Sequence, residues 1–150
     1  MYTIEEYDCE KTKVLKYVLY KKRTIREVKT KFRSVIEENM LEDIIEELTE
    51  NGYISDEQYV VKAVNEYIAL KNLSVKELKY KLLSKGISQN LIEDYFAKNS
   101  EEIEEYERKS AENIAIKKSV NMDEDEIKAY LMKKGYQEDN IREAIEKIEE

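Results

Sequence analysis

Apolar residues recur three and four positions apart along much of the chain, the spacing that gathers them onto one face of an α-helix. Leu41, Ile44, Ile45 and Leu48 follow it, as do Ile141, Ala144, Ile145 and Ile148. The same spacing predicts a helix over 10–22, carrying Val14, Leu15, Val18 and Leu19, and another over 56–72, carrying Val60, Val64, Tyr67 and Ile68. A weaker stripe of Ile103, Tyr106, Ile114 and Ala115 marks a helix near 101–120.

These helices repeat. Thr24-Ile25-Arg26-Glu27-Val28 aligns with Ser74-Val75-Lys76-Glu77-Leu78 and with Asp123-Glu124-Asp125-Glu126-Ile127. Each begins with a capping residue followed three positions later by Glu, a pairing that satisfies orphaned N–H groups of a first helical turn. Val28 and Phe32, Leu78 and Leu82, and Ile127 and Leu131 then share one face. A further helix follows in each copy, and one precedes it. Gly86 and Gly135, each after a lysine, are placed to end a helix in the left-handed conformation. The expected fold is all-α: nine helices as three tandem three-helix repeats at 10–54, 55–100 and 101–150, after a tail at 1–9. Units of this size bury too little surface to stand alone, so neighbours should share interfaces in an elongated, curved array.

Composition agrees with helix almost throughout: charged residues make up 40%, Gly numbers three, and Pro and Trp are absent. No apolar run approaches the roughly 20 residues of a membrane span, and the N-terminus lacks the pattern of a signal peptide, so a cytoplasmic protein without membrane contact is expected. The single cysteine, Cys9, cannot form an internal disulfide. With no histidine, most zinc sites and the Ser-His-Asp and Cys-His arrangements are excluded. Neither a Gly-rich phosphate loop nor a metal constellation occurs, so no catalytic residue, metal or cofactor is expected. Clusters such as Asp123–Glu126 lack the turn glycine of a calcium loop and read as solvated helix starts.

Charge is arranged in blocks. Residues 11–33 carry +9, residues 34–58 carry −9, residues 59–98 carry +3 and residues 99–150 carry −7, within a net −8. Such a molecule favours a partner that orients it electrostatically.

Four segments, in order, resemble the RecX family. Arg23-Thr24-Ile25-Arg26-Glu27-Val28 is similar to its Arg-x-Ser/Thr-x-x-Glu-Leu signature, and Asn51–Tyr59 to its Gly-Tyr-Leu-Asp-Asp-x-x-Phe/Tyr-Ala segment. Leu82-Leu83-Ser84-Lys85-Gly86-Ile87 looks like its Leu-x-x-Lys-Gly-Ile/Val stretch, and Lys134-Gly135-Tyr136 like the Arg-Gly-Phe of its last repeat. Ser55 and Val60 depart from the family's usual Asp and Ala. The resemblance implies a regulator lying along the groove of the RecA–single-stranded-DNA filament, where it restrains ATP hydrolysis, strand exchange and co-protease activity in DNA repair and the SOS response.

Arg26, Lys29 and Arg33 project from one side of their helix, preceded by Lys21, Lys22 and Arg23. Lys76 and Lys79 occupy the equivalent positions in copy two, where Lys85 adds a further charge. The third copy offers Asp125, Lys128 and Met132 there, so the basic stripe fades along the chain. These nine basic residues are the expected contacts with the RecA filament, by a protein expected to be a monomer. A weak contact with single-stranded DNA stays open, as do two rival readings: a direct DNA-binding protein of helix-turn-helix-like units, and a generic helical scaffold. Tyr17, Tyr67, Tyr95 and Tyr130 are expected at or beside the core, with Tyr20, Tyr53 and Tyr136 freer near unit ends.

Overall fold

The computed structural model describes residues 2–150, which form nine α-helices and no strand. In chain order these are α1 (Ile4–Tyr20), α2 (Ile25–Phe32), α3 (Glu38–Glu50), α4 (Asp56–Leu70), α5 (Val75–Ser84), α6 (Gln89–Lys98), α7 (Ser100–Lys118), α8 (Glu124–Lys134) and α9 (Glu138–Glu149). The capping boxes of α2, α5 and α8 form as their sequences dictate: Thr24, Ser74 and Asp123 each accept the N–H three residues on, and Glu27, Glu77 and Glu126 reach back to the cap N–H. A fourth box, Thr3 with Glu6, starts α1 six residues before the apolar stripe predicts, so residues 4–9 are helix rather than tail. At α3, Glu37 replaces the usual hydroxyl, its carboxylate accepting from the N–H groups of Asn39 and Met40 and held below the ordinary glutamate range by those bonds.

Apolar faces gather into three separate cores. The first is built on Val14, Val28, Ile44 and Leu48, the second on Val60, Leu78, Leu82 and Ile92, and the third on Ala111, Ile127, Leu131 and Ile145. α7 serves two of them: Ile103 and Tyr106 pack with the second, Ala111 and Ala115 with the third. The accessible surface is 9903 Å² for a 17.9 kDa chain. A compact monomer of that mass exposes about 8000 Å². The excess of roughly a quarter is what a row of small cores produces, in place of one large one.

Neighbouring repeats meet through one joint, used twice. Thr24 is wholly buried and its hydroxyl donates to the Lys85 carbonyl at 2.6 Å. Ser74, equally buried, donates to the Lys134 carbonyl at 2.7 Å. In both cases the acceptor carbonyl precedes a glycine with positive φ, Gly86 at +92° and Gly135 at +94°. Lys85 pairs back with Glu27, and Lys134 with Glu77, each at 3.8 Å. The cap residue therefore ends its own helix's orphan N–H and bonds the next repeat with the same oxygen. At the third box the residue is Asp123, exposed, which accepts the Glu126 N–H and has no hydroxyl of the Thr24 and Ser74 kind to offer a next repeat.

Candidate binding surface

The nine predicted contact residues divide by what already holds them. Arg26 belongs to the first joint: its guanidinium donates to the Ser84 carbonyl, and its stem lies across Gly86 so closely that a Cβ there would meet the Arg26 Cβ at 2.5 Å. Lys76 takes the same place at the second joint, its stem lying over Gly135. Lys85 faces Glu27 across the first joint. Lys79 pairs with Glu93 at 3.1 Å and lies over the Phe96 ring. Arg23 stacks on Tyr17, 4.2 Å from the ring centroid, which removes much of its hydration; its buried Nε makes no hydrogen bond. Lys22 donates to Gln58 Oε1 at 3.1 Å. Lys21, Lys29 and Arg33 are exposed and have no ion-pair partner among the described residues.

Two clefts collect the less constrained ones. Lys29 and Arg33 line a cleft of about 430 Å³ with Glu38, Leu41 and Glu42, between α2 and α3. Lys21 and Lys22 line another of about 410 Å³ at the first joint, with Lys62, Lys85, Tyr59 and Tyr67 and the paired acids Glu27 and Glu66. Burial pushes the Tyr59 hydroxyl up to about 12 and raises that of Tyr67, so both stay protonated and able to donate. Lys62 was not among the expected contacts; only its position across the joint brings it here. Lys134 was equally unmarked, although its equivalence to Lys85 in the repeat could have singled it out.

From the first helices of the second and third repeats, Asp56 of α4 and Tyr106 of α7 each reach back to the preceding repeat. Asp56 accepts the Ile25 N–H at 2.9 Å. Tyr106 accepts the Leu73 N–H and donates to the Lys71 carbonyl. Tyr17, Tyr67, Tyr95 and Tyr130 pack beside the cores, and Tyr20 and Tyr53 are exposed, as expected. Tyr136 differs: it is buried in the third core, its hydroxyl 2.6 Å from Ser110 Oγ. It fills the place that Ile36 and Ile87 fill in the turns of the earlier repeats. Among the described residues no group of His, Cys, Asp or Glu is placed to hold a metal ion, and no helix is long and apolar enough to cross a membrane.

Repeated joints and small separate cores define a class: an all-helical protein of tandem three-helix repeats. The relatives narrow that class. Over 139 residues the chain is 30% identical to the regulatory protein RecX of Staphylococcus carnosus, covering 90% of this chain and 52% of the relative. It is 29% identical over 154 residues to the regulatory protein RecX of Clostridium acetobutylicum, covering 96% of this chain and 71% of that one. The crystal structure of RecX from Lactobacillus salivarius superimposes with a TM-score of 0.81 at 27% identity, covering 98% of this chain and 99% of the other. A second RecX crystal structure, 21% identical with a TM-score of 0.80, shares the fold. No family model matches the chain. The chain belongs to the RecX family. It spans about half the length of its Staphylococcus relative.

Proposed function

We propose that this protein is a non-enzymatic regulator that binds along the groove of the RecA–single-stranded-DNA filament and restrains its ATPase, strand-exchange and co-protease activities. The observation that carries the reading is the joint repeated with the same chemistry. Three repeats joined in a row by the same cap-to-carbonyl bond make an extended segment. Such a segment keeps register with a partner that is itself a helical polymer, where a single globule would meet one protomer. Lys21, Lys22, Lys29 and Arg33 are the proposed filament contacts, and the protein acts as a cytoplasmic monomer.

The test is ATP hydrolysis by preformed RecA filaments on single-stranded DNA, titrated with the protein. Inhibition below one protein per RecA protomer, with little binding to naked DNA, is the expected outcome; unchanged hydrolysis refutes the reading. Direct DNA binding is a second reading favoured by one observation, the lysine- and tyrosine-lined cleft at the first joint. It predicts salt-sensitive binding to DNA without RecA.

A further inference from the structure

The three most exposed large apolar side chains among the described residues are Val120 (88%), Tyr20 (82%) and Leu70 (80%). A single exposed apolar residue is ordinary and needs no explanation. These three are not scattered. Tyr20 is the last residue of α1 and Leu70 the last of α4, each four residues before the capping hydroxyl of the next helix. Val120 lies in the turn after α7, three residues before Asp123. Each repeat thus puts its most exposed apolar group at the turn between its first and second helices.

Charge follows the same turn. Lys21 and Lys22 adjoin Tyr20, Lys71 adjoins Leu70, and Lys117 and Lys118 precede Val120, with no acid in 19–23, 69–73 or 117–122. The third repeat is otherwise acidic, carrying −7 over 99–150, yet it keeps bases here. Both joints carry the same cap-to-carbonyl bond and the same positive-φ glycine, so the three turns recur at equivalent places in successive repeats.

We propose that the three turns form a row of equivalent contacts, each seating its apolar side chain in an apolar socket rimmed by carboxylates, and that successive sockets belong to successive protomers of a protein polymer. This rests on the reading of the protein as a filament binder and adds which residues touch the polymer and with what spacing. Charge complementarity selects carboxylate rims over phosphate, because an apolar knob at every turn needs a dry socket that a nucleic-acid backbone does not provide.

The experiment measures equilibrium binding of the labelled full chain to preformed RecA filaments on single-stranded DNA. It compares wild type with Tyr20→Ser, Leu70→Ser, Val120→Ser and the triple variant. All three sites are exposed, so helicity by circular dichroism should be unchanged. Removing roughly 55 Å² of buried apolar contact weakens binding about tenfold. Each single variant should therefore lose a similar factor of five to ten, and the triple variant at least a hundredfold. A triple variant that binds like wild type overturns the row while leaving the filament reading intact. So does an effect confined to one turn, or a change only in self-association measured by sedimentation. Failure of the wild type to bind filaments overturns both.

Discussion

Alanine at the three glycines separates backbone strain from the fit between repeats. Gly52, Gly86 and Gly135 all have φ between +83° and +94°, so alanine at any of them pays the left-handed penalty of about 1–2 kcal/mol. Their surroundings differ. A Cβ at Gly52 meets nothing within 4 Å, so Gly52→Ala measures the strain alone. At Gly135 the nearest atoms are Lys76 Cδ at 3.0 Å and Cβ at 3.1 Å, and a shift of a few tenths of an ångström relieves them. At Gly86 the obstacle is the Arg26 Cβ at 2.5 Å, an atom fixed to the backbone of α2 that no rotamer can move. The joint must open by most of an ångström, an overpacking that costs about 1–3 kcal/mol, and opening strains the Thr24 and Arg26 hydrogen bonds across it. The expected order of destabilisation is Gly52→Ala at about 1–2, Gly135→Ala at about 2–3 and Gly86→Ala at about 3–5 kcal/mol. Urea unfolding followed by circular dichroism reads all three. Gly86→Ala should also split or broaden the transition, since it uncouples repeats that otherwise unfold together. Arg26→Gly removes the obstructing Cβ, so the double variant should be more stable than the sum of the two single losses predicts. If Gly86→Ala costs no more than Gly52→Ala, the close approach at the joint has no energetic weight and the reasoning fails.

Thr24→Val and Ser74→Ala each remove a cap and leave the Lys85 or Lys134 carbonyl without its donor, for an expected loss of about 2 kcal/mol by urea unfolding. Glu107 is buried, with Oε1 accepting the Gln137 N–H at 3.0 Å and Oε2 unpartnered, and burial raises its carboxyl above the ordinary glutamate value of about 4.5. The native state then holds this proton more tightly than the unfolded chain, so its contribution is present in acid and lost as pH rises through the raised value. Glu107→Gln should flatten the fall in stability as pH rises above about 4.5, measured as melting temperature against pH; an unchanged slope would clear Glu107 of the effect.

Much of this fold is written locally. A capping box needs only two residues three apart, and an apolar stripe only one helix, so both are legible before any packing is known. Gly86 and Gly135 were legible for the same reason, as helix ends. Their second role was not: that each lies under a basic stem from the previous repeat depends on the tilt between repeats, which no single helix encodes. Arg26, Lys29 and Arg33 therefore look alike on a helical wheel, yet one bonds the neighbouring repeat and two do not. α7 shows the opposite limit. Its sequence shows only the weak stripe of Ile103, Tyr106, Ile114 and Ala115, and the buried Ala111, Ser110 and Glu107 lie outside that stripe, their burial legible only once the partner α9 is in place. Tyr136 reads as a mobile end residue for want of the Ser110 that meets its hydroxyl from α7.

The joints also decide which charge reversals can report partner contact. Reversing Arg26, Lys29 and Arg33 together would put a carboxylate beside the Ser84 carbonyl and near Glu27, so the repeats would lose their fixed relation at the same time as the surface changed sign. Weakened filament binding would then have two causes. Reversal confined to Lys21, Lys22, Lys29 and Arg33 leaves the Thr24 and Ser74 bonds and both joint ion pairs in place, and removes across the joint only the exposed Lys22–Gln58 bond. If these four meet acidic filament surface, the quadruple variant should bind preformed RecA filaments about tenfold or more weakly at low ionic strength. The deficit should shrink as added salt shortens the Debye length below about 10 Å. Arg26→Ala is the complementary probe, since it removes the cross-joint bond with one lost surface charge. A quadruple variant that binds normally, beside an Arg26→Ala variant that does not, would place the recognition in the array's geometry and not in its basic surface.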